Sequence, residues 1–253
     1  MAFKVANLNH VAKFNSANSC NLLDMYDSYL EKEIKNHRSS IPSKTFAPSS
    51  IRCERRSWFR LRGTEPDVQN TVDTGLQFTA DIGTACHELI QSRLSKALGD
   101  RWCDVESHIK SIYPSAKCLK SGYEVRVELQ EPPIKFSVDG LIGDTTRKLL
   151  EIKSCDHMTF EDLTNPKEEH IPQFECYCTL LHVSGGFFLY VDRQYGDMKC
   201  YEMSVMESKK IEYWQMFDRV QQYAKFGIAP DPLKDTKWCD PNMCPYYKKC
   251  KEY

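Results

Sequence analysis

The 253-residue chain carries almost no surplus of charge of either sign: 34 Lys and Arg face 35 Asp and Glu, a formal net charge of −1. Global attraction to a polyanion is therefore excluded, and any binding of nucleic acid has to come from local clusters. Long hydrophobic runs are also missing, with none approaching the ~20 apolar residues that span a bilayer. The opening MAFKVANLNHVAKF has no charged region followed by a sustained apolar stretch, so no secretory signal is visible. Internal repeats and low-complexity tracts are absent as well. Cysteine, by contrast, is abundant: 12 residues, which without a secretory signal belong in a reducing compartment where thiols stay free or bind metal. With 41% hydrophobic and 27% charged residues, the expectation is a soluble, intracellular, globular protein of one large domain or one domain with appendages.

Helical spacing of apolar residues predicts a surface helix over 19–37. Ser49 or Ser50 is expected to cap a short helix carrying Cys53 and the arginine cluster Arg52, Arg55, Arg56, Arg60 and Arg62, ending near Gly63. A loop is expected over 64–80, then a helix over 81–98 with Ile82, Cys86, Ile90 and Leu94 as its buried stripe and His87 at the edge. A helical stretch near 101–112 precedes strands at 123–129, 134–142 and 148–153, and 154–171 reads as a loop. Pro172 suits the first turn of a helix reaching His182, Gly185-Gly186 reads as a turn, and strands FFLYVDR and MKCYEMS follow. A long amphipathic helix bearing Ile211, Trp214, Phe217, Val220 and Ala224 stops at Gly227. These elements predict an α/β fold: a central mixed sheet flanked by helices.

Asp139 and Glu151-Ile152-Lys153 are the main chemical signal. They lie in FSVDGLIGDTTRKLLEIKS, two short apolar stretches around a polar turn, as in a hairpin. On a strand Glu151 and Lys153 share a face, and pairing can bring Asp139 close to Glu151. Two such carboxylates repel unless a divalent cation lies between them, and a neighbouring lysine can then orient or deprotonate a water that attacks phosphate. The same residues on a solvated sheet face would form only a salt-bridge ladder.

The segment 238–250, WCDPNMCPYYKKC, is the second signal. Cys239, Cys244 and Cys250 in a polar, proline-containing tail are poor core material and make sense as thiolate ligands. Cys53, in the other basic segment, is the best fourth. Four thiolates suit a [4Fe–4S] cluster or a structural Zn²⁺, and the loose spacing favours the cluster. Such a centre would tie the chain's two basic segments together, while the remaining cysteines act as small hydrophobes.

In order, these motifs resemble the RecB-type branch of the PD-(D/E)xK nuclease superfamily, and specifically its iron–sulfur exonucleases, which include CRISPR-associated and bacteriophage members. The resemblance covers 48–250 and divides the chain into a helical segment of unassigned role, 1–47, and a nuclease domain, 48–253. PSSIRCERRSWF resembles the segment holding the first cluster cysteine, Cys53; GTACHELI the helix with a metal-binding histidine, His87; VDG and EIK supply Asp139, Glu151 and Lys153. HIPQFECY resembles the helix that supports the site and meets DNA, through Gln173 and Tyr177.

The resemblance implies Mg²⁺ or Mn²⁺ held by His87, Asp139, Glu151 and the Ile152 carbonyl, with Lys153 handling the attacking water. Gln173 would support Lys153 and Tyr177 would contact DNA, while Arg55 and Arg56 would lie among the phosphate contacts. It further implies a DNA substrate, no membrane association, a homo-oligomer or a recombination or CRISPR-adaptation partner, and the cytoplasm of a bacterium or phage-infected host. A structure-specific endonuclease, or an inactive DNA-binding adaptor, are the competing readings. Four residues separate Cys239 from Cys244, where many relatives have two.

Overall fold

A computed structural model describes residues 22–37, 44–67, 74–234, 236–241 and 243–253. The chain divides into two compact units, residues 1–40 with 70–78 and residues 41–69 with 79–253. In chain order the helices are α1 (Leu22–His37), α2 (Glu54–Leu61), α3 (Thr74–Leu98), α4 (Val105–Ile112), α5 (His157–Asp162), α6 (Ile171–Leu180), α7 (Glu207–Phe226) and α8 (Tyr247–Lys251). The strands are β1 (Trp102–Cys103), β2 (Lys117–Ser121), β3 (Glu124–Gln130), β4 (Pro133–Val138), β5 (Gly140–Ile142), β6 (Lys148–Cys155), β7 (Gly185–Asp192) and β8 (Met198–Ser204). The smaller unit holds α1, which exposes Leu22, Met25, Tyr26 and Tyr29. Residues 19–21 of the expected first helix lie outside the described residues.

The larger unit contains two sheets. One is the antiparallel meander β2-β3-β4; the other is five-stranded, in the order β1-β5-β6-β7-β8. The second is mixed, because β6 and β7 run parallel and their neighbours antiparallel. One of its faces packs Leu150, Ile152, Leu189 and Val191 against Ile90 of α3. The other packs Leu149, Phe188 and Tyr190 into the main core with Phe174 and Tyr177 of α6 and Phe217 of α7. The observed architecture is thus α/β, a mixed sheet between helices.

Several local expectations need correction. The Pro48–Ser50 segment is a 3-10 turn, and Cys53 itself is the residue preceding α2, with extended backbone. Helix α3 starts at Thr74, inside the expected loop, and Ile82 of the predicted buried stripe is 37% exposed while Ile90 is buried. The expected strand over 134–142 is two strands, β4 and β5, in different sheets, because the chain breaks at Asp139. The stretch near 101–112 contains β1 before α4, whose N-terminus is capped by the Asp104 carboxylate on the Ser107 N–H. Strand β2 and helix α5 were not expected at all.

Gly185 and Gly186 open β7 rather than forming a turn. The lack of a side chain at Gly186 lets β7 lie close to β6: a Cβ there would stand 2.0 Å from the Leu149 carbonyl oxygen. Helix α7 does end at Gly227, whose φ of +72° is the left-handed cap that other residues resist. Among its apolar residues Phe217 and Val220 are buried, whereas Ile211 is exposed. Trp58 and Phe59 are core residues, 1% exposed each. No helix among the described residues is long and apolar enough to cross a membrane.

Candidate active site

Asp139 occupies the junction where the chain leaves the meander at Val138 and enters the mixed sheet at Gly140. Antiparallel pairing sets Gly140 opposite Leu150, so one step further along the register Asp139 comes level with Glu151. Three bonds fix Asp139 there. Its Oδ2 accepts the Ile152 N–H at 2.7 Å, its main-chain carbonyl accepts Gln91 Nε2 at 2.7 Å, and its Oδ1 lies 3.0 Å from His87 Nδ1. His87 and Gln91 are four residues apart on α3 and so reach the same side of the helix. Gln91, 2% exposed, was not picked out from the sequence, although that spacing after His87 is a usable signal.

Glu151 is only 3% exposed, and its Oε1 is 2.7 Å from Lys153 Nζ. Lys153 in turn donates to Gln173 Oε1 at 3.3 Å, and Gln173 Nε2 donates to the Tyr177 hydroxyl at 2.9 Å. The chain Glu151–Lys153–Gln173–Tyr177 thus ties β6 to α6. Tyr177 is 5% exposed, so it braces Gln173 from within the core and is not placed to contact DNA. Burial drives its phenol well above the ordinary tyrosine range, with the Glu151 charge adding to the effect.

Burial also raises the Glu151 carboxyl, and the neighbouring Asp139 charge adds to the rise against the opposing pull of Lys153. For His87, burial lowers the imidazole pKa, but the hydrogen bond and charge of Asp139 more than offset it, so the net direction is upward. Among the described residues no three His, Cys, Asp or Glu side chains converge as a preformed metal cage. The donor chemistry nonetheless fits a divalent cation. The Asp139 and Glu151 carboxylates act on one another electrostatically, and His87 lies on Asp139, an oxygen-rich set whose mutual repulsion a cation would relieve.

The cysteine region is built differently. Cys53, Cys239 and Cys244 line one cavity together with Arg56, Trp238 and Gln173. Burial raises the Cys244 thiol, Arg56 pulls it down, and the thiols of Cys53 and Cys250 are close enough to act on it electrostatically. Arg56 Nε is buried without a hydrogen-bond partner. Among the described residues these thiols do not converge as a group of three metal ligands. No disulfide joins the cysteines among the described residues. Cys155, Cys176 and Cys178 are buried like ordinary apolar residues, Cys200 is exposed, and Cys20 lies outside the described residues.

Four of the five clustered arginines donate to main-chain carbonyls. Arg55 is 6% exposed; its Nε donates to the Pro230 carbonyl at 2.6 Å and its Nη1 to the Cys250 carbonyl at 3.0 Å. Arg52 donates to the Glu168 carbonyl, Arg60 to that of Thr45 and Arg62 to that of Ala224. Arg55 therefore clasps the tail through main-chain carbonyls, which sequence alone does not disclose. Asp67 completes the clasp: its N–H donates to the Pro245 carbonyl, and its carboxylate accepts the N–H groups of Lys248 and Lys249.

Comparison with protein-family models and with curated proteins gives no match. Among solved structures, the chain resembles SSO0001 with a TM-score of 0.48 at 15% identity, covering 89% of this chain and 94% of that one. It also resembles an alkaline exonuclease, LHK-Exo, from Laribacter hongkongensis, with a TM-score of 0.40 at 17% identity over 74% of this chain and 90% of that one. The same exonuclease in complex with dAMP gives 0.39 at 17% identity over 73% and 89%. Likenesses of this size carry no argument about activity, which has to rest on the site itself.

Proposed function

We propose that the protein is a divalent-metal-dependent deoxyribonuclease that hydrolyses phosphodiester bonds, acting as an exonuclease. The observation that carries this reading is the meeting of Asp139 with Glu151 at the junction of two sheets, with Lys153 paired to Glu151 and His87 to Asp139. His87, Asp139, Glu151 and the Ile152 carbonyl would hold Mg²⁺ or Mn²⁺, which supplies Lewis-acid stabilisation of charge on phosphate. Lys153, paired to Glu151 and held by Gln173, would orient the attacking water through its ammonium N–H. Gln91 and the Ile152 N–H keep Asp139 facing the site. The exonuclease mode rests on the motif resemblance to the iron–sulfur exonucleases, since the carboxylate–lysine core itself serves endonucleases equally well.

The same reading assigns Cys53, Cys239, Cys244 and Cys250 to a [4Fe–4S] cluster, with Zn²⁺ as the alternative. The cavity that Cys53, Cys239 and Cys244 share, which Cys250 does not line, and the orphaned Arg56 Nε support it. The role proposed for that centre is structural.

The test incubates anaerobically purified protein with end-labelled linear and covalently closed circular DNA in Mg²⁺, Mn²⁺ or EDTA, beside Lys153→Ala. Metal-dependent loss of linear DNA alone, abolished in the variant, is the expected result. Nicking of the circle would move the protein to the endonuclease reading. No cleavage with either metal would leave a DNA-binding adaptor as the better account.

A further inference from the structure

His170 lies just before α6, on the segment that crosses the site, and the mechanism above does not use it. Its Nδ1 is 2.7 Å from the Tyr190 hydroxyl, which also accepts the main-chain N–H of Lys167 at 3.0 Å. Tyr190 is 0% exposed, and a buried O–H needs an acceptor. The acceptor beside it is His170 Nδ1. The ring is thereby held in one tautomer, with its proton on Nε2.

The surroundings agree. Burial first, then the charges of Lys153, Lys167 and Arg52, push the His170 imidazole down to about 3, so the ring is neutral at ordinary pH. Burial pushes the Tyr190 phenol up to about 12, so it keeps its proton. The side chain of His170 is 22% exposed, and Glu169 Oε1, at 3.8 Å from Nε2, is too distant to accept its hydrogen. What remains is a fixed N–H donor in a neighbourhood of three cations, next to the lysine of the proposed site. Acids are present too, Glu151 on Lys153 and Glu169 at 3.9 Å from Lys167 Nζ, while Arg52 is spent on a neutral carbonyl.

We infer that His170 is a substrate-contacting residue, donating its Nε2–H to a non-bridging oxygen of a phosphate on the bound strand, within the electrostatic reach of Arg52, Lys153 and Lys167. A donor with no acceptor function, set among cations, selects an anionic oxygen over a nucleobase edge. Tyr190 is the positioning residue that sets the tautomer. This inference rests on the nuclease reading and names the contact that reading lacks, since Tyr177 is buried and most of the arginine cluster is spent on carbonyls.

The test measures binding, not turnover. Short DNA carrying a methylphosphonate at one phosphate at a time is titrated, in Ca²⁺, against wild type, His170→Ala and Tyr190→Phe. At one position the neutral phosphate should weaken wild-type binding about tenfold, as expected for one hydrogen bond to a charged group. His170→Ala should already bind unmodified DNA about tenfold more weakly and lose less than about twofold further at that same position. Tyr190→Phe keeps the ring and its packing and should fall between, so the comparison survives if the alanine variant does not fold. Position profiles in both variants that match wild type would overturn the assignment while leaving the nuclease reading intact. Failure of folded wild type to bind DNA at all would overturn the nuclease reading and this inference with it.

Discussion

The carboxylate site and the cysteine cavity lie in one compact unit, yet they are held by opposite means. Asp139, Glu151 and Lys153 are positioned by strand register, and their contacts are with one another and with α3 and α6. The cysteines are positioned from outside, by an arginine that grips main-chain carbonyls, by Asp67 on the tail's N–H groups, and by the stacking of Phe59 on Tyr246. The first arrangement leaves charges in conflict, which function can use. The second satisfies polar groups that would otherwise be costly, which is the work of stability. Chemistry and stability should therefore separate cleanly under mutation.

The largest expected effect is on catalysis. Glu151→Gln should lower nuclease activity by about 10³-fold while leaving the unfolding free energy, read by urea titration, within about 0.5 kcal/mol of wild type or above it, because a buried charge has been removed. Arg55→Met should do the reverse. With the carbonyls of Pro230 and Cys250 left without their donor, unfolding free energy should fall by about 3 kcal/mol, read by urea titration. If that variant lost activity without losing stability, the separation would be wrong.

The sequence disclosed the first region far better than the second. Asp139, Glu151 and Lys153 could be read because strand alternation and a polar turn are local signals, and hairpin pairing converts them directly into proximity. The break of the expected strand at Asp139 left a signal that went unused: alternation in FSVDGLI stops at Gly140, and Asp-Gly is a turn dipeptide. Which sheet each half joins is decided by partners far along the chain. Arg55 was illegible for a similar reason: an arginine in a charge cluster looks the same whether it faces solvent or clasps a tail 175 or more residues away. Tyr177 had the right neighbour, Gln173, but burial belongs to the packed core and not to four-residue spacing.

Smaller effects sharpen the boundary between the regions. Gln173 lines the cysteine cavity and also holds Lys153, so Gln173→Ala should lower kcat about tenfold with little change in KM and no change in bound metal at the cysteines, checked by elemental analysis. Loss of that metal in the same variant would show that the two regions are coupled.

The smallest effect is on pH dependence. Because the folded state raises the Glu151 carboxyl above its ordinary value of 4.5, the stability it contributes is full below that pH and is lost as pH rises through the folded value. In EDTA, wild type should become less stable as pH climbs from the ordinary carboxylate range towards neutrality, and Glu151→Gln should flatten that slope. A slope unchanged by the substitution would place its source elsewhere.

Asp139 belongs to neither sheet, yet its carboxylate is sewn to one of them through the Ile152 N–H. A single peptide step is thus both the passage from one sheet to the other and the stitch that holds that passage to β6.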